Sequence, residues 1–314
     1  MPELPEVEIT RMKLLPLVRG RRILDFWTDW PKGLRIVNSK TQKANSQKWV
    51  ANDMRGRKVL DVTRQGKVLF FRLSPRRARG KPPRWSSGRA GEPERVMAVH
   101  LRMSGRLEVA SHSPGRHPER QRRVSSSLPA RWTHFAWQLS DGKELRFIDP
   151  RKFGLVWYGA PGELQRDSYL GGLGIDAKAL LPVDFANALA GRRGMIKPLL
   201  LRQDVIAGIG NILADESLWH AGIPPQASVA ALGAPALRRL GDSLRLTIQT
   251  VLSSGGTSIR NFRHPDGRLG RYQERRLVYG REGESCPRCR TELCRIVVGG
   301  RGTTICPTCQ RMSS

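Results

Sequence analysis

Long apolar runs are missing from this 314-residue chain. Nothing in it approaches the roughly 18 consecutive apolar residues of a membrane span. Also missing are the positive flank and apolar stretch of a secretory signal, any lipidation motif and any internal repeat. The expected compartment is therefore the cytosol, whose reducing conditions disfavour disulfides. Acidic residues are scarce: 27 Asp and Glu stand against 55 Lys and Arg, giving a net charge of +28 and a pI near 11.3. Arginine outnumbers lysine 43 to 12, so a codon bias toward Arg contributes, but such a bias does not remove acids. The balance points to a polyanionic partner, nucleic acid above all. A membrane surface is disfavoured, because no basic amphipathic helix with an aromatic face is present. Hydrophobic residues make up 39%, enough for a real core, and the length suits two ordinary domains and a small module.

The chain opens MPELPEVE. Pro5 suits a first helical position, and Glu6 and Glu8 suit a first turn that favours negative charge. With Val7, Leu14 and Val18 near helical spacing, residues about 4 to 19 are expected to form a helix, kinked or broken at Pro16. Helix entry leaves Pro2 and Glu3 unexplained. RRILDFWTDW alternates as a strand, and KVLDVTRQGKVLFFRL reads as two strands around a turn at Gln65-Gly66. VMAVHLRMSGRLEVA reads as strands around a hairpin turn at Ser104-Gly105, and HFAWQL with KELRFI as a hairpin across Ser140-Asp141-Gly142. Two polar, basic inserts, 75–95 and 111–131, read as flexible loops. The short strands predict an antiparallel β-sandwich or barrel. After about residue 160 the pattern turns helical, with a linker at 161–180 and helices in DFANALAGRR, IKPLLLR, NILADESLWHAGI and APALRRLGDSLRLTIQTVLSS. Asp184 is expected as the N-cap or a first-turn acid of the first of these.

Four of the five cysteines form two pairs, CPRC at 286–289 and CPTC at 306–309, sixteen residues apart. Each short loop presents two sulfurs to one tetrahedral ion, so Cys286, Cys289, Cys306 and Cys309 predict one structural zinc. Disulfides and a redox pair are the competing readings. A closed four-sulfur site has no open position for catalysis. It should hold a β-hairpin that presents Arg301 outward. Cys294 is left over and is expected as a buried packing thiol.

In RQDVIAGIGNILADESL the turn Gly208-Ile209-Gly210 precedes a helix beginning near Asn211. Small residues let backbone approach a phosphate, and free N–H groups at a helix start attract an anion. An ordinary helix cap is the competing reading. HLRMSG places Met103 beside a turn, and DPRKFG places Arg151 and Phe153 two apart. An unbranched apolar chain, a guanidinium and a ring on adjacent loops can wedge into a base stack, although each is commonly a packing or surface residue.

Taken together, MPELPEVE, the RQGK turn with Lys67, HLRMSG, DPRKFG, IKP with GIGNILADESL, LVYGREGESC and the cysteine tail resemble the formamidopyrimidine-DNA glycosylase family. The resemblance runs from end to end outside the two inserts. It implies an α+β multidomain fold with a sandwich domain over 1–160, a helix–two-turns–helix domain with a lesion-capping loop over 181–275, and a zinc-finger hairpin over 276–314. It implies removal of Met1, with the Pro2 amine as nucleophile in a Schiff-base reaction, Glu3 as general acid/base, Glu6 as a supporting carboxylate and Lys67 at the lesion phosphates. Met103, Arg151 and Phe153 would fill the gap left by a flipped nucleotide. Lys197, Asn211 and Arg301 would bind backbone phosphate. The implied function is base-excision repair of oxidised purines in double-stranded DNA by a monomer in the bacterial cytosol and nucleoid, without a small-molecule cofactor. An endonuclease VIII-like enzyme for oxidised pyrimidines and a non-catalytic zinc-finger DNA-binding protein are the alternatives. The capping segment 255–276 is unusually Arg-rich, which leaves the lesion preference open.

Overall fold

The computed structural model describes residues 2–37, 46–76, 93–111, 132–258 and 262–311. The first half contains α1 (Leu4–Val18), β1 (Ile23–Thr28), β2 (Leu34–Ile36), α2 (Ser46–Met54), β3 (Val59–Gln65), β4 (Val68–Leu73), β5 (Arg95–His100), β6 (Arg106–Ser111), β7 (Thr133–Leu139), β8 (Lys143–Ile148) and β9 (Leu155–Gly159). The second half contains α3 (Pro161–Leu164), β10 (Ile175–Asp176), α4 (Pro182–Leu189), α5 (Ile196–Leu200), β11 (Ile206–Ala207), α6 (Asn211–Ala221), α7 (Ala234–Ser253), β12 (Cys294–Val298) and β13 (Arg301–Ile305). Nearly all of both basic inserts lies outside the described residues. Of the first insert, Arg95 already belongs to β5, and Ser111 ends β6. No helix among the described residues is long and apolar enough to cross a membrane.

Two sheets face each other, ordered β2-β9-β5-β4-β3 and β1-β7-β8-β6. Their inner faces supply Phe71, Val99 and Tyr158 on one side and Phe26, Phe135, Trp137 and Phe147 on the other, all in one apolar cluster. This is the expected sandwich, except that β2 runs parallel to β9. The expectation of a hairpin at Ser104-Gly105 is corrected. β5 pairs with β4 and β9, whereas β6 pairs with β8, so residues 101–105 cross from one sheet to the other. Strand pattern reads alternation but not partner, and two apolar strands on either side of a short turn fit a sheet-to-sheet crossing equally well.

Helix α1 continues through Pro16 to Val18, so it is not broken there. Val7, Leu14 and Val18 pack into the sandwich core, whereas Leu4 packs into the second core, which α4, α6 and α7 build. The first turn of α1 thus lies where the two cores meet. Residues 161–170 carry more structure than a bare linker. Leu164 and Leu170 cover the outer face of the five-stranded sheet beside Val68 and Trp157. Asp184 lies in the first turn of α4, whose N-cap is Leu181. A third, small cluster packs Trp219 of α6 against Val278, Cys286, Leu293 and Cys306.

Buried ion pairs tie α1 to its surroundings. Glu8 meets Arg64 of β3 at 3.0 Å and Lys178 at 2.9 Å, and Arg64 also pairs with Asp176 of β10. Burial alone would raise the Glu8 carboxyl, but hydrogen bonds from Arg11, Lys178 and Arg64 outweigh it and hold the pKa at about 2. A depressed carboxyl contributes stability that is present above its unfolded value and is lost as pH falls toward the folded one. Glu8→Gln is therefore expected to cost about 3 kcal/mol at pH 7, with the difference from wild type shrinking between about pH 4.5 and 2. Urea unfolding of both proteins at several pH values measures this, and a pH-independent difference would refute the linkage.

Candidate active site and nucleic-acid interface

Pro2 is buried and leads directly into Glu3, the N-cap of α1. The Glu3 N–H donates to Glu6 Oε2 at 2.8 Å, so Glu6 closes the start of its own helix. The Glu3 carboxylate turns away, toward α6. It accepts from the backbone N–H groups of Gly210, Ile212 and Leu213 at 3.1, 2.9 and 3.1 Å. These are orphan donors at the positive end of a helix, and a carboxylate satisfies them well. The expectation of free N–H groups there, open to a phosphate, is thereby corrected: Glu3 occupies them. The glycines serve this contact. A Cβ on Gly210 would lie 2.2 Å from Glu3 Cδ, and one on Gly208 would lie 2.6 Å from Leu4 Cδ1.

Lys67 follows the β3–β4 turn, where Gly66 has φ +57 and presses against Ala207 of β11. Its Nζ is buried and donates to Ile209 O at 2.7 Å, on the turn that precedes α6. Burial pulls the Lys67 ammonium down to about 8, the Glu3 and Glu6 charges pull it back up, and Arg301 pushes it down. Glu6 moves the other way. Burial and the neighbouring Glu3 charge raise it to about 7, against hydrogen bonds from the N–H groups of Glu3 and Thr257. A carboxyl and an amine are thus both brought toward neutrality in one cluster, the condition for proton exchange near physiological pH. The structure gathers Glu3, Glu6 and Lys67 about the turn that precedes α6, with the buried Pro2 adjoining Glu3.

Met103 and Phe153 are both 47% exposed, and the Arg151 guanidinium lies over the Phe153 ring at 4.7 Å. Their loops share one anchor that sequence reasoning missed. Asp149 is fully buried and accepts from Ser104 Oγ at 2.5 Å and from the N–H groups of Phe153 and Gly154 at 2.8 and 2.7 Å. The signal lay inside DPRKFG, where an acid precedes a loop rich in unpaired donors.

Lys197 and Asn211 face the finger hairpin. Lys197 has no exposed surface. It pairs with Asp215 at 2.5 Å and donates to Thr303 Oγ1 at 2.6 Å. Burial raises Asp215 to about 6, with Lys197 opposing. Asn211 Nδ2 donates to Gly302 O at 2.9 Å. Both residues therefore fix the strand that presents the exposed Arg301. Glu216, also missed, is fully buried and accepts from the N–H groups of Leu277, Val278 and Tyr279 and from Tyr272 Oη, holding the segment before the finger.

The sulfurs of Cys286, Cys289, Cys306 and Cys309 all lie within 4.8 Å of one another. Separations of 3.4 to 3.9 Å between several pairs bracket the ~3.8 Å edge of a tetrahedron with ~2.3 Å metal–sulfur bonds. The set fits one structural zinc with every position filled, and β12 and β13 form the expected hairpin between the pairs. Cys294 departs from expectation. It is exposed rather than buried, because it opens β12 on the outer side of a two-stranded ribbon with little to cover it.

A buried Pro2–Glu3 step set between a sandwich and a helical unit, with a thiolate finger braced on that unit, defines a zinc-finger α+β protein of the nucleic-acid-processing class. Family models match in three consecutive stretches: the Formamidopyrimidine-DNA glycosylase N-terminal domain over residues 1–156, its H2TH domain over 174–263, and the zinc finger found in FPG and IleRS over 283–311. The chain is 36% identical to a formamidopyrimidine-DNA glycosylase of Geobacillus kaustophilus, across 99% of this chain and 100% of that one. It is similar to the solved complex of Lactococcus lactis Fpg with DNA containing an abasic site, with a TM-score of 0.77 and 26% identity over 99% and 100% of the two chains. It is similar also to the solved MutM (Fpg) protein of Thermus thermophilus, with a TM-score of 0.76 and 32% identity over 100% of each. The chain belongs to the formamidopyrimidine-DNA glycosylase family.

Two outcomes follow from the cluster. A lysine whose pKa falls on folding binds fewer protons folded than unfolded, so it opposes folding below about pH 8 and ceases to do so above its ordinary value. Lys67→Met is expected to stabilise the protein at pH 7 by up to about 3 kcal/mol. Thermal unfolding measures it, and a lower Tm than wild type would show that the ion attractions outweigh burial. Gly210→Ala is expected to push Glu3 off the α6 terminus and cost about 1–3 kcal/mol for the unmet donors; wild-type stability in urea would sink that assignment.

Proposed function

We propose that this chain is a bifunctional DNA glycosylase and AP lyase that excises oxidised purines, 8-oxoguanine and formamidopyrimidines, from double-stranded DNA. The observation that carries the reading is the buried Pro2 beside Glu3, Glu6 and Lys67. Relatives bear the formamidopyrimidine-DNA glycosylase name, and similar solved structures hold DNA with an abasic site or with Fapy-dG.

In this reading Met1, which lies outside the described residues, is removed and the Pro2 secondary amine is free. Such an amine titrates near ~7.7–8.0, so a fraction is neutral at physiological pH. The amine attacks C1′ of the flipped nucleotide. The C1′–N bond breaks, and its electron pair leaves with the base. The amine's N–H proton passes to the Glu3 carboxylate as the C1′ bond forms; as the sugar ring opens, Glu3 delivers that proton to the ring oxygen, and an iminium links Pro2 to C1′. The iminium acidifies the C2′ proton, and successive β- and δ-eliminations release the two phosphates. Glu6 holds a proton beside Glu3, and Lys67 exchanges one near neutral pH. Met103, Arg151 and Phe153 fill the vacated stack, with Arg151 toward the orphaned base, and so offset part of the few kcal/mol that flipping costs. Arg301 meets backbone phosphate, and Lys197 and Asn211 hold its hairpin in place. Phosphate contacts carry no sequence information, which suits an enzyme that scans any DNA. The zinc supplies the rigidity of the finger. The boundaries 1–160, 161–180, 181–275 and 276–314, a monomeric state, the lack of a small-molecule cofactor and a place in the bacterial cytosol and nucleoid belong to the same reading.

Borohydride trapping on four duplexes tests it: 8-oxoguanine opposite cytosine, an oxidised thymine, an abasic site and undamaged DNA. A covalent adduct on 8-oxoguanine is expected, and its loss is expected when a fusion blocks the N-terminus while DNA binding persists. Adducts only on thymine damage would move the substrate to oxidised pyrimidines, and equal trapping by the blocked protein would end the Pro2 mechanism.

A further inference from the structure

One surface of the helical domain is left unused by this chemistry. A cleft of about 370 Å³ opens between α4, the segment 229–232 and the first turns of α7. Its floor is apolar, built from the buried Ala186, Val229 and Leu237. Its rim is cationic, and neither Arg193 nor Arg238 makes an ion pair or side-chain hydrogen bond among the described residues. At this edge Val183 lines the cleft with its apolar side chain 47% exposed. Scattered exposed apolar residues need no explanation, but an apolar recess rimmed by charge marks an interaction surface.

The cleft is remote from the reaction. The C-terminal end of α7 leads through Gly256 to Thr257, whose N–H meets Glu6, whereas its N-terminal Ala234 lines the cleft. A 20-residue helix separates the two, about 30 Å at 1.5 Å per residue. An occupant here can sit on the protein while Pro2 is engaged.

We propose that this cleft docks an acidic peptide segment of a partner protein, one that carries a bulky apolar side chain among its carboxylates. The apolar floor takes the side chain. The unpaired Arg193 and Arg238 take the carboxylates, for which a guanidinium fork is well shaped. Duplex DNA is the poorer fit, because a phosphate backbone has nothing to place on an apolar floor. A second copy of this chain is poorer still, because at net +28 its surface offers few acids to meet the rim.

Fluorescence anisotropy with the intact protein tests this. The probe is a fluorescein-labelled decapeptide alternating Asp with Leu and Phe, with an all-Asp decapeptide and a Ser/Leu/Phe decapeptide as controls. The mixed peptide is expected to bind at least tenfold more tightly than either control. Arg238→Glu and Val183→Asp, both on exposed side chains, are each expected to weaken it tenfold or more while leaving borohydride trapping on 8-oxoguanine DNA unchanged. Equal binding of the all-Asp peptide would reduce the effect to net charge and overturn the proposal. Undiminished binding by both variants would also overturn it, as would stoichiometric displacement of the peptide by undamaged duplex or a concentration-dependent dimer that the variants abolish.

Discussion

The Glu3 carboxylate at the start of α6 is the contact on which the site depends. It is contributed by the second residue of the described chain and received by three backbone N–H groups more than two hundred residues away. Around it the same short turn accepts Leu4 N–H at Gly208 O and Lys67 Nζ at Ile209 O. The sandwich, through the β3–β4 turn, and the helical unit, through α6, are thereby pinned to the chain terminus. Residues at a terminus ordinarily fray. Here fraying would expose three helix donors and a buried lysine at once, so the ends of the site are held by the energetics of the whole junction. The same carboxylate sets the electrostatics, because its charge raises Glu6 and supports the ammonium of Lys67.

Buried charges elsewhere in the molecule behave differently, and the difference separates structure from chemistry. Glu8 is surrounded by Arg11, Arg64 and Lys178 and is driven far below the carboxylate range. It is committed to one charge state at any physiological pH. Glu6 and Lys67 have too few partners to offset their burial, so each is brought near neutrality. For stability alone, apolar residues of similar size would serve as well or better at such positions. Ionisable groups held near neutrality are suited to proton movement, which a wholly apolar junction could not offer. The Lys197–Asp215 pair lies between these cases. It is fully buried, and it joins α5 to α6 while Thr303 extends it to β13, so it transmits the position of the helical unit to the finger.

Much of this was legible in the sequence, for reasons that differ by residue. The sandwich strands, α6, α7 and the finger hairpin announced themselves through period and turn chemistry, and the four metal ligands through spacing alone. Pro2 and Glu3 stood out because helix entry did not need them. What stayed hidden was partnership. The crossing at 101–105 looks like a hairpin because alternation does not say which sheet a strand joins. Gly208 and Gly210 were rightly read as permitting close approach to an anion, but the anion is Glu3 of the same chain. The resemblance makes Lys197 a phosphate contact without announcing that Asp215 and Thr303 enclose it, and Cys294 reads as buried until its strand proves to be uncovered. Long-range pairing leaves no local periodic trace, and each of these misreadings is of that kind.

The gap-filling candidates show what such pairing achieves. Met103 comes from the crossing between sheets and Arg151 and Phe153 from the loop before β9, so neither the strand ladders nor a shared hairpin sets their relative position. Asp149 does so, with one oxygen toward Ser104 and the other toward the backbone of Phe153 and Gly154. Gly105 and Gly154 allow it, since a Cβ on either would come within 2.6 Å of the Phe147 ring. A wedge into a base stack must present apolar surface to water before it meets DNA, and exposed chains on independent loops would tend to collapse onto the sandwich. Fixing both loops through a single buried carboxylate keeps Met103 and Phe153 outward, and a partner meeting them would pay little for ordering, because the ordering has already been done in folding.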